Sequence, residues 1–236
     1  MNIMRVFVII IIVCFSTSVQ AQGLFRPRVQ NNQNFDMKTI SWGFYFGANN
    51  LDFNFDYERD EEDIQTERSV GFNVGLISDL RISEYINLRL EPGLVFNRRD
   101  LIFPANVQFD SEDDFMREVS STYIYVPLLL RFSTKRVNNW KPFVTGGVAF
   151  VNNLSSNEDS QDDNFSGTFR STRNNFFYEF GFGVDLYLFF FKFTPSIRGI
   201  FSFNDELIPD DNANSPWTGN ISSLSTRGVF LNFTFQ

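Results

Sequence analysis

Histidine is absent from this 236-residue chain, and cysteine occurs once, at position 14. Without histidine the commonest general base and the commonest transition-metal ligand are missing. Cys14 lies in an N-terminal apolar run, so the remainder has no disulfide framework and no thiol chemistry. Positive charge is also scarce: 20 Lys and Arg face 28 Asp and Glu, a net of −8. So acidic a chain lacks the basic stripe that nucleic acid requires. Beyond residue 21 no apolar run reaches the length of a membrane-spanning helix. No GxSxG, HExxH or phosphate-binding loop occurs.

What is present begins with the N-terminus. Arg5 precedes a continuous apolar run from Val6 to Val13, and Val19-Gln20-Ala21 offers small residues for cleavage. This pattern predicts a signal peptide over residues 1–21, cut after Ala21. A lipoprotein signal would place the lipid on Cys14, but Val13 is too bulky a predecessor. Loss of Arg5 leaves 19 basic against 28 acidic side chains, a net of −9. Residues 22–38 are polar and weakly basic and read as an extended periplasmic tail, with plain disorder as the bland alternative.

Residues 85–97 carry the clearest pattern. Ile86, Leu88, Leu90, Leu94 and Phe96 alternate with Asn87, Arg89, Glu91, Gly93 and Asn97. A period of two is that of a β-strand with one apolar and one polar face. Full charges in mid-strand do not suit the core of a soluble protein. They suit a barrel strand, apolar towards lipid and polar towards a lumen. Similar segments cover residues 39–48, 70–80, 122–133, 142–151, 176–188, 191–203 and 226–235, the fifth in chain order (142–151) having poorly distinguished faces. The connections alternate: short at 81–84, 135–141 and 189–190, long and polar elsewhere. Lipid tolerates only helices and closed sheets. The expectation is therefore an all-β, eight-stranded antiparallel up-and-down transmembrane β-barrel over residues 39–236. Short turns and both termini would be periplasmic, and long loops outside. Most of the 31 phenylalanines fall on the lipid face. Trp42, Tyr85, Trp140 and Tyr187 fall near segment ends, where an interfacial aromatic girdle is expected, with ordinary packing as the alternative for any one of them.

The inferred lumen face carries Asp79, Arg89, Glu91, Arg131, Glu179, Asp185, Lys192 and Arg198, with Arg81 near its periplasmic end. Eight strands enclose a space that side chains fill, and buried charges must pair. A structural salt-bridge network that plugs the lumen is expected. The competing reading is a catalytic pair such as Glu179 and Asp185. Six residues along one strand separate them by about 20 Å, too far for the two carboxylates of glycoside hydrolysis; a partner from another strand stays open. The loops hold dense carboxylates at 56–63 and 110–114, and at Glu158, Asp159, Asp162 and Asp163. They lack the regular spacing of a calcium loop, and solvated loops are the plainer reading.

Asn34-Phe35-Asp36 and the run from Trp42 to Phe53 resemble the start of PorT proteins of Bacteroidetes. Glu91-Pro92-Gly93-Leu94, the run from Ser121 to Arg131, Lys141-Pro142-Phe143-Val144-Thr145-Gly146-Gly147 and the run from Tyr178 to Asp185 continue the resemblance through nearly the whole mature chain. It implies an integral outer-membrane component of the type IX secretion system, called SprT in gliding bacteria. That machine exports proteins with C-terminal sorting signals and in some species supports gliding. No catalytic residue or cofactor carries over. The implied partners are other secretion-system subunits and outer-membrane lipid, with no nucleic acid and no small-molecule substrate. The alternative is a generic small outer-membrane barrel with a structural or extracellular-binding role.

Overall fold

The computed structural model describes residues 30–59, 63–104, 115–160, 169–212 and 215–236. The expected signal peptide, the first part of the tail and much of the acidic loops lie outside these residues. Among the described residues ten strands form: β1 (Ile40–Tyr57), β2 (Gln65–Arg68), β3 (Val70–Arg81), β4 (Ile86–Leu90), β5 (Gly93–Ile102), β6 (Met116–Ser133), β7 (Trp140–Asn153), β8 (Asn174–Tyr187), β9 (Lys192–Ser202) and β10 (Ile221–Phe235).

Their pairing is wholly antiparallel and closes on itself, because β1 pairs with both β3 and β10. The ring has eight positions. β2 continues β3 beyond Ser69 and pairs with the outer half of β5. β4 and β5 are two halves of one strand, interrupted at Glu91-Pro92. Pro92 has no N–H to give a ladder. Register is kept across the break, with Leu90 opposite Ser78 and Gly93 opposite Gly75. The strand is interrupted without slipping, so Arg89, Glu91 and Val95 all keep facing inward. The expected eight-stranded up-and-down barrel is the observed fold.

The strands are longer than the alternating segments suggest, and their polarity inverts part-way. On β1 the outward residues Ile40, Trp42, Phe44, Phe46 and Ala48 are apolar, then Asn50, Asp52, Asn54 and Asp56 are polar. The inward residues change in the opposite sense, to Leu51, Phe53 and Phe55. β6 repeats this: Phe132, Leu130, Leu128, Val126 and Ile124 face out, followed by Thr122, Ser120 and Glu118. β10 runs Phe235, Phe233, Leu231 and Val229, then Arg227, Ser225 and Ser223. An apolar outward run of nine residues matches a tilted membrane strand. Beyond the band the sheet projects into water and must hide apolar groups inside, as a soluble barrel does.

Two inner packing layers result. One comprises Leu51, Val95, Tyr123, Tyr125, Ala149, Val151, Phe177, Ile200 and Phe230. The other, nearer the long loops, is built from Phe53, Leu101, Phe103, Val119, Phe169, Trp217 and Leu224. Glycine matters most at Gly75 and Gly93, which face each other next to Tyr45. A Cβ on Gly93 would lie 2.3 Å from the Tyr45 hydroxyl, and one on Gly75 2.6 Å from its ring. The two glycines leave the bed in which Tyr45 lies, as aromatic side chains cover glycines in curved sheets.

Leu128 sits at the centre of the outward band on β6, and Ser120 lies on the same face beyond its edge. Leu128→Arg is expected to destabilise the barrel by about 2–4 kcal/mol in urea unfolding from bilayers, and Ser120→Arg by about 0–1 kcal/mol.

Candidate functional site: the filled lumen

Three tiers of side chains occupy the lumen. The tier nearest the short turns contains all eight charged residues expected there, each nearly inaccessible to solvent. Asp79 on β3 stands directly opposite Arg89 on β4. Arg89 donates to Asp79 from Nε at 2.8 Å and from Nη2 at 2.6 Å. Asn87 donates to the other carboxylate oxygen at 2.5 Å. Arg89 Nη1 reaches Glu91 Oε1 at 3.3 Å. The far oxygen of Glu91 lies 2.9 Å from Arg198 Nη2, and Arg198 Nη1 lies 3.1 Å from Glu179 Oε2. The chain Asp79–Arg89–Glu91–Arg198–Glu179 thus alternates in sign across β3, β4, β9 and β8. Tyr125 donates to Glu179 at 3.3 Å.

A second branch joins Arg131 of β6 to Asp185 of β8. Thr194 donates to Asp185 at 2.6 Å. The Arg131 guanidinium also lies 3.5 Å from the centre of the Phe143 ring. Lys192 lines one small cavity with Asp185 and Asp79, and its ammonium lies 4.5 Å from the Phe35 ring centre. Glu179 and Asp185 therefore belong to different branches, each held by its own arginine. They do not form a carboxylate pair. Each carboxylate faces its own guanidinium and one hydroxyl donor, Arg198 and Tyr125 for Glu179, and Arg131 and Thr194 for Asp185. Arg81, expected at this end, is half-buried and lines a small cavity with Ser83, Glu84 and Asp36.

The short-turn mouth is stoppered by residues expected in an extended tail. Phe35–Met37 form one 3₁₀ turn. Phe35 is buried edge-on against Tyr187, with ring centres 6.2 Å apart. Asp36 accepts a hydrogen bond of 2.5 Å from the Tyr187 hydroxyl and pairs with Arg136 at 3.3 Å. Tyr187 thereby departs from the expected girdle. It shares the inward parity of Asp185, Asp36 accepts from a hydroxyl that lipid would leave unpaired, and the Arg136 guanidinium stacks 3.7 Å from its ring centre. Trp42, Tyr85 and Trp140 do face outward, exposed near the short-turn edge.

Several inward charges fall outside the expected set. Lys141 stands opposite Asp185 in register and donates to the Glu84 carbonyl at 3.1 Å. Its parity with Thr145 is the signal for it, blurred by the mixed faces of its strand. Arg99 is fully buried among the apolar residues of the long-loop tier. It donates to Ser121 at 2.7 Å and Tyr123 at 2.8 Å, and stacks 3.6 Å from the Phe53 ring centre. Glu206, from the β9–β10 loop, accepts from the Thr226 backbone N–H at 2.9 Å and from the Thr226 hydroxyl at 2.8 Å. Arg170 and Asp210 pair at 3.2 Å in the same mouth. These positions follow the inverted pattern, in which a polar inward residue is the exception.

The acidic clusters are only partly described. Residues 60–62 and 110–114, Asp162 and Asp163 lie outside the described residues. Glu158 accepts from the Arg173 backbone N–H at 2.7 Å, and Asp159 pairs with Arg173 at 2.5 Å. Among the described residues no three acidic groups converge on a common point.

Residues 20–207 match the family model described as the outer membrane protein β-barrel domain. The chain belongs to this family. No curated protein matches it. Among solved structures, this outer-membrane barrel is similar to OprG from Pseudomonas aeruginosa, with 12% identity, TM-score 0.45 and coverage of 83% of this chain and 93% of that one. It is also similar to Neisserial surface protein A, with 11% identity, TM-score 0.41 and coverage of 84% and 98%. A third is Ail, the attachment invasion locus protein of Yersinia pestis, with 11% identity, TM-score 0.38 and coverage of 82% and 96%.

The ion chain makes a specific demand. Arg198→Met leaves Glu179 without a guanidinium and Glu91 with only its 3.3 Å contact to Arg89, and is expected to destabilise the barrel by about 3–5 kcal/mol in urea unfolding. Adding Glu91→Gln and Glu179→Gln should recover most of that loss, because the stranded charges are gone. Glu206 supplies a pH test outside the membrane. Burial pushes its carboxyl above the usual 4.5, so the folded state binds the proton more tightly than the unfolded state. Its contribution favours folding at low pH and is lost as pH rises through the raised value. Glu206→Gln is expected to gain stability relative to wild type as pH rises from 4.5 upward, read from unfolding midpoints across pH.

Proposed function

We propose that this outer-membrane barrel is a non-enzymatic component of the type IX secretion system, needed for export of proteins with C-terminal sorting signals and, in gliding species, for motility. The filling of its lumen carries the reading of how it acts. Among the described residues, five alternating charges, a second ion branch, two apolar layers and a stopper at the short-turn mouth leave no passage for a polypeptide. Such a barrel contributes through its rim, its lipid face or its N-terminal segment. The secretion role itself is supported by the resemblance of Trp42–Phe53, Glu91–Leu94 and the run from Ser121 to Arg131 to PorT proteins. Phe35 and Asp36 of the same pattern are among the residues that close the mouth, as a motif with a structural duty would be.

The alternation of loop lengths supports placing the short turns and both termini in the periplasm and the long loops outside. Residues 1–21 would be removed on export, residues 22–38 would lie at the periplasmic face, and the partners would be secretion-system subunits. The family match is to the general barrel domain, which favours as second reading a small barrel that strengthens the membrane or binds a ligand outside through its acidic loops.

Deleting the gene is expected to leave cargo with C-terminal sorting signals in the periplasm, and native purification is expected to recover other secretion-system subunits. Normal export together with purification of the barrel alone would favour the second reading. An epitope in the β7–β8 loop should stain on intact cells, and one after Gln236 only after permeabilisation.

A further inference from the structure

The polar collar just beyond the apolar band is uneven around the barrel. Its outward residues on the β6, β7 and β8 sides, Thr122, Asn152 and Asn174, are uncharged. On β5, Arg98 is neutralised by Asp100 and Glu118, each at 3.2 Å. Across β10, β1 and β2 the balance differs. Asp52 stands directly opposite Arg227. Its Oδ2 lies 3.1 Å from Arg227 Nη2 and 3.7 Å from Arg68 Nη1. Two guanidinium groups thus converge on one carboxylate oxygen and leave a net positive charge. Both arginine side chains are about half exposed, 54% and 51%, whereas Asp52 is 15% exposed. The anion of the trio is covered and the cations are presented.

Immediately towards the membrane the surface is hollow. Gly199 faces outward without a side chain, and Phe201 and Val229 flank it. With the two arginines and Asp52 they bound a groove of about 210 Å³. Its upper wall is cationic and its lower wall belongs to the apolar band. That is the arrangement needed by an amphiphile with an anionic head and an acyl chain. Arg227 gives Nε and Nη2 to Asp52 at 3.2 and 3.1 Å and presents its Nη1 edge, while Arg68 makes only the 3.7 Å approach; guanidinium edges match phosphate oxygens better than a single point charge does.

We propose that Arg68 and Arg227 form a binding site for the phosphate of a membrane lipid in the leaflet beside the long loops, whose acyl chain lies over Gly199 between Phe201 and Val229. Asp52 holds the two guanidinium groups side by side and is a positioning residue. The site rests on the orientation given above only for the choice of leaflet. That orientation makes the lipid a phosphorylated glycolipid of the outer leaflet.

The test uses the full mature barrel, refolded in a neutral detergent, with bound lipid counted by native mass spectrometry. The probes are diphosphoryl lipid A, the same lipid with its phosphates removed, and inorganic phosphate. Wild type is expected to bind diphosphoryl lipid A at least tenfold more tightly than the Arg68→Gln/Arg227→Gln variant. Arg98→Gln should bind as wild type does. The dephosphorylated lipid should not distinguish wild type from the double variant, and a tenfold excess of inorganic phosphate should leave lipid A bound. Arg68→Lys/Arg227→Lys should fall between, since charge is kept and the fork is lost. It also replaces the glutamine variant if that one does not show the heat-modifiable mobility of a folded barrel. The proposal is overturned if the glutamine and lysine variants bind within twofold of wild type, if Arg98→Gln loses as much as they do, or if inorganic phosphate displaces the lipid. Binding in detergent does not depend on which way the barrel faces, so its failure leaves the secretion role and the orientation to their own tests.

Discussion

The pairing of β1 with both β3 and β10 is the constraint on which the rest of the structure depends. It closes the sheet, and only a closed sheet satisfies every strand N–H and C=O where no water is present. Closure at eight positions then sets the interior width, which side chains fill. From that follows the character of the lumen. Charges placed inside a filled, narrow barrel have no bulk water to solvate them and must find each other across strands. Asp79 and Arg89 do so directly opposite one another, and Arg198 does so by bridging carboxylates from β8 and the β4–β5 break. The interruption at Pro92 serves the same end, because register is kept on both sides and Glu91 stays inside the ring.

A second physical idea organises the length of the barrel. Where lipid surrounds it, apolar residues face out and ions face in. Where water surrounds it, the rule reverses, and Leu51, Phe53, Leu101 and Trp217 form a core of the ordinary soluble kind. The same strand therefore obeys two solvents in succession without any change of backbone. Tyr45 and Tyr125 sit between the regimes, with rings among apolar or glycine neighbours and hydroxyls turned towards the Glu91 carbonyl and Glu179. Arg99 shows what a charge requires beyond that transition: hydroxyl acceptors, an aromatic face, and a carboxylate, Glu206, reached through Thr226.

These features bear on function by exclusion and by relocation. Among the described residues the lumen is filled by side chains, and its carboxylates lie against arginines. What remains available among the described residues is the outside, including the collar at Asp52. Phe35 and Asp36 close the short-turn mouth against Tyr187 and Arg136.

The sequence by itself determined the strand count, the alternation of loop lengths, the lipid face and the eight inward charges, because each follows from a period of two that survives in any strand. It could not pair those charges. Asp79 with Arg89 and Asp185 with Arg131 are matched by register and ring closure, which are long-range properties. Nor could it extend β1 to Tyr57 or β6 back to Met116, since the inversion of polarity cancels the signal that marks the lipid-facing half. Arg99 escapes for that reason, Lys141 because the faces of its strand are mixed, and Glu206 because it comes from a loop with no period; Tyr187 faces the lumen instead of the girdle. The seat of Phe35 and Asp36 was likewise decided only in three dimensions. A polar, asparagine-rich segment carries no periodicity, and its place depends on a tyrosine and an arginine more than 90 residues away.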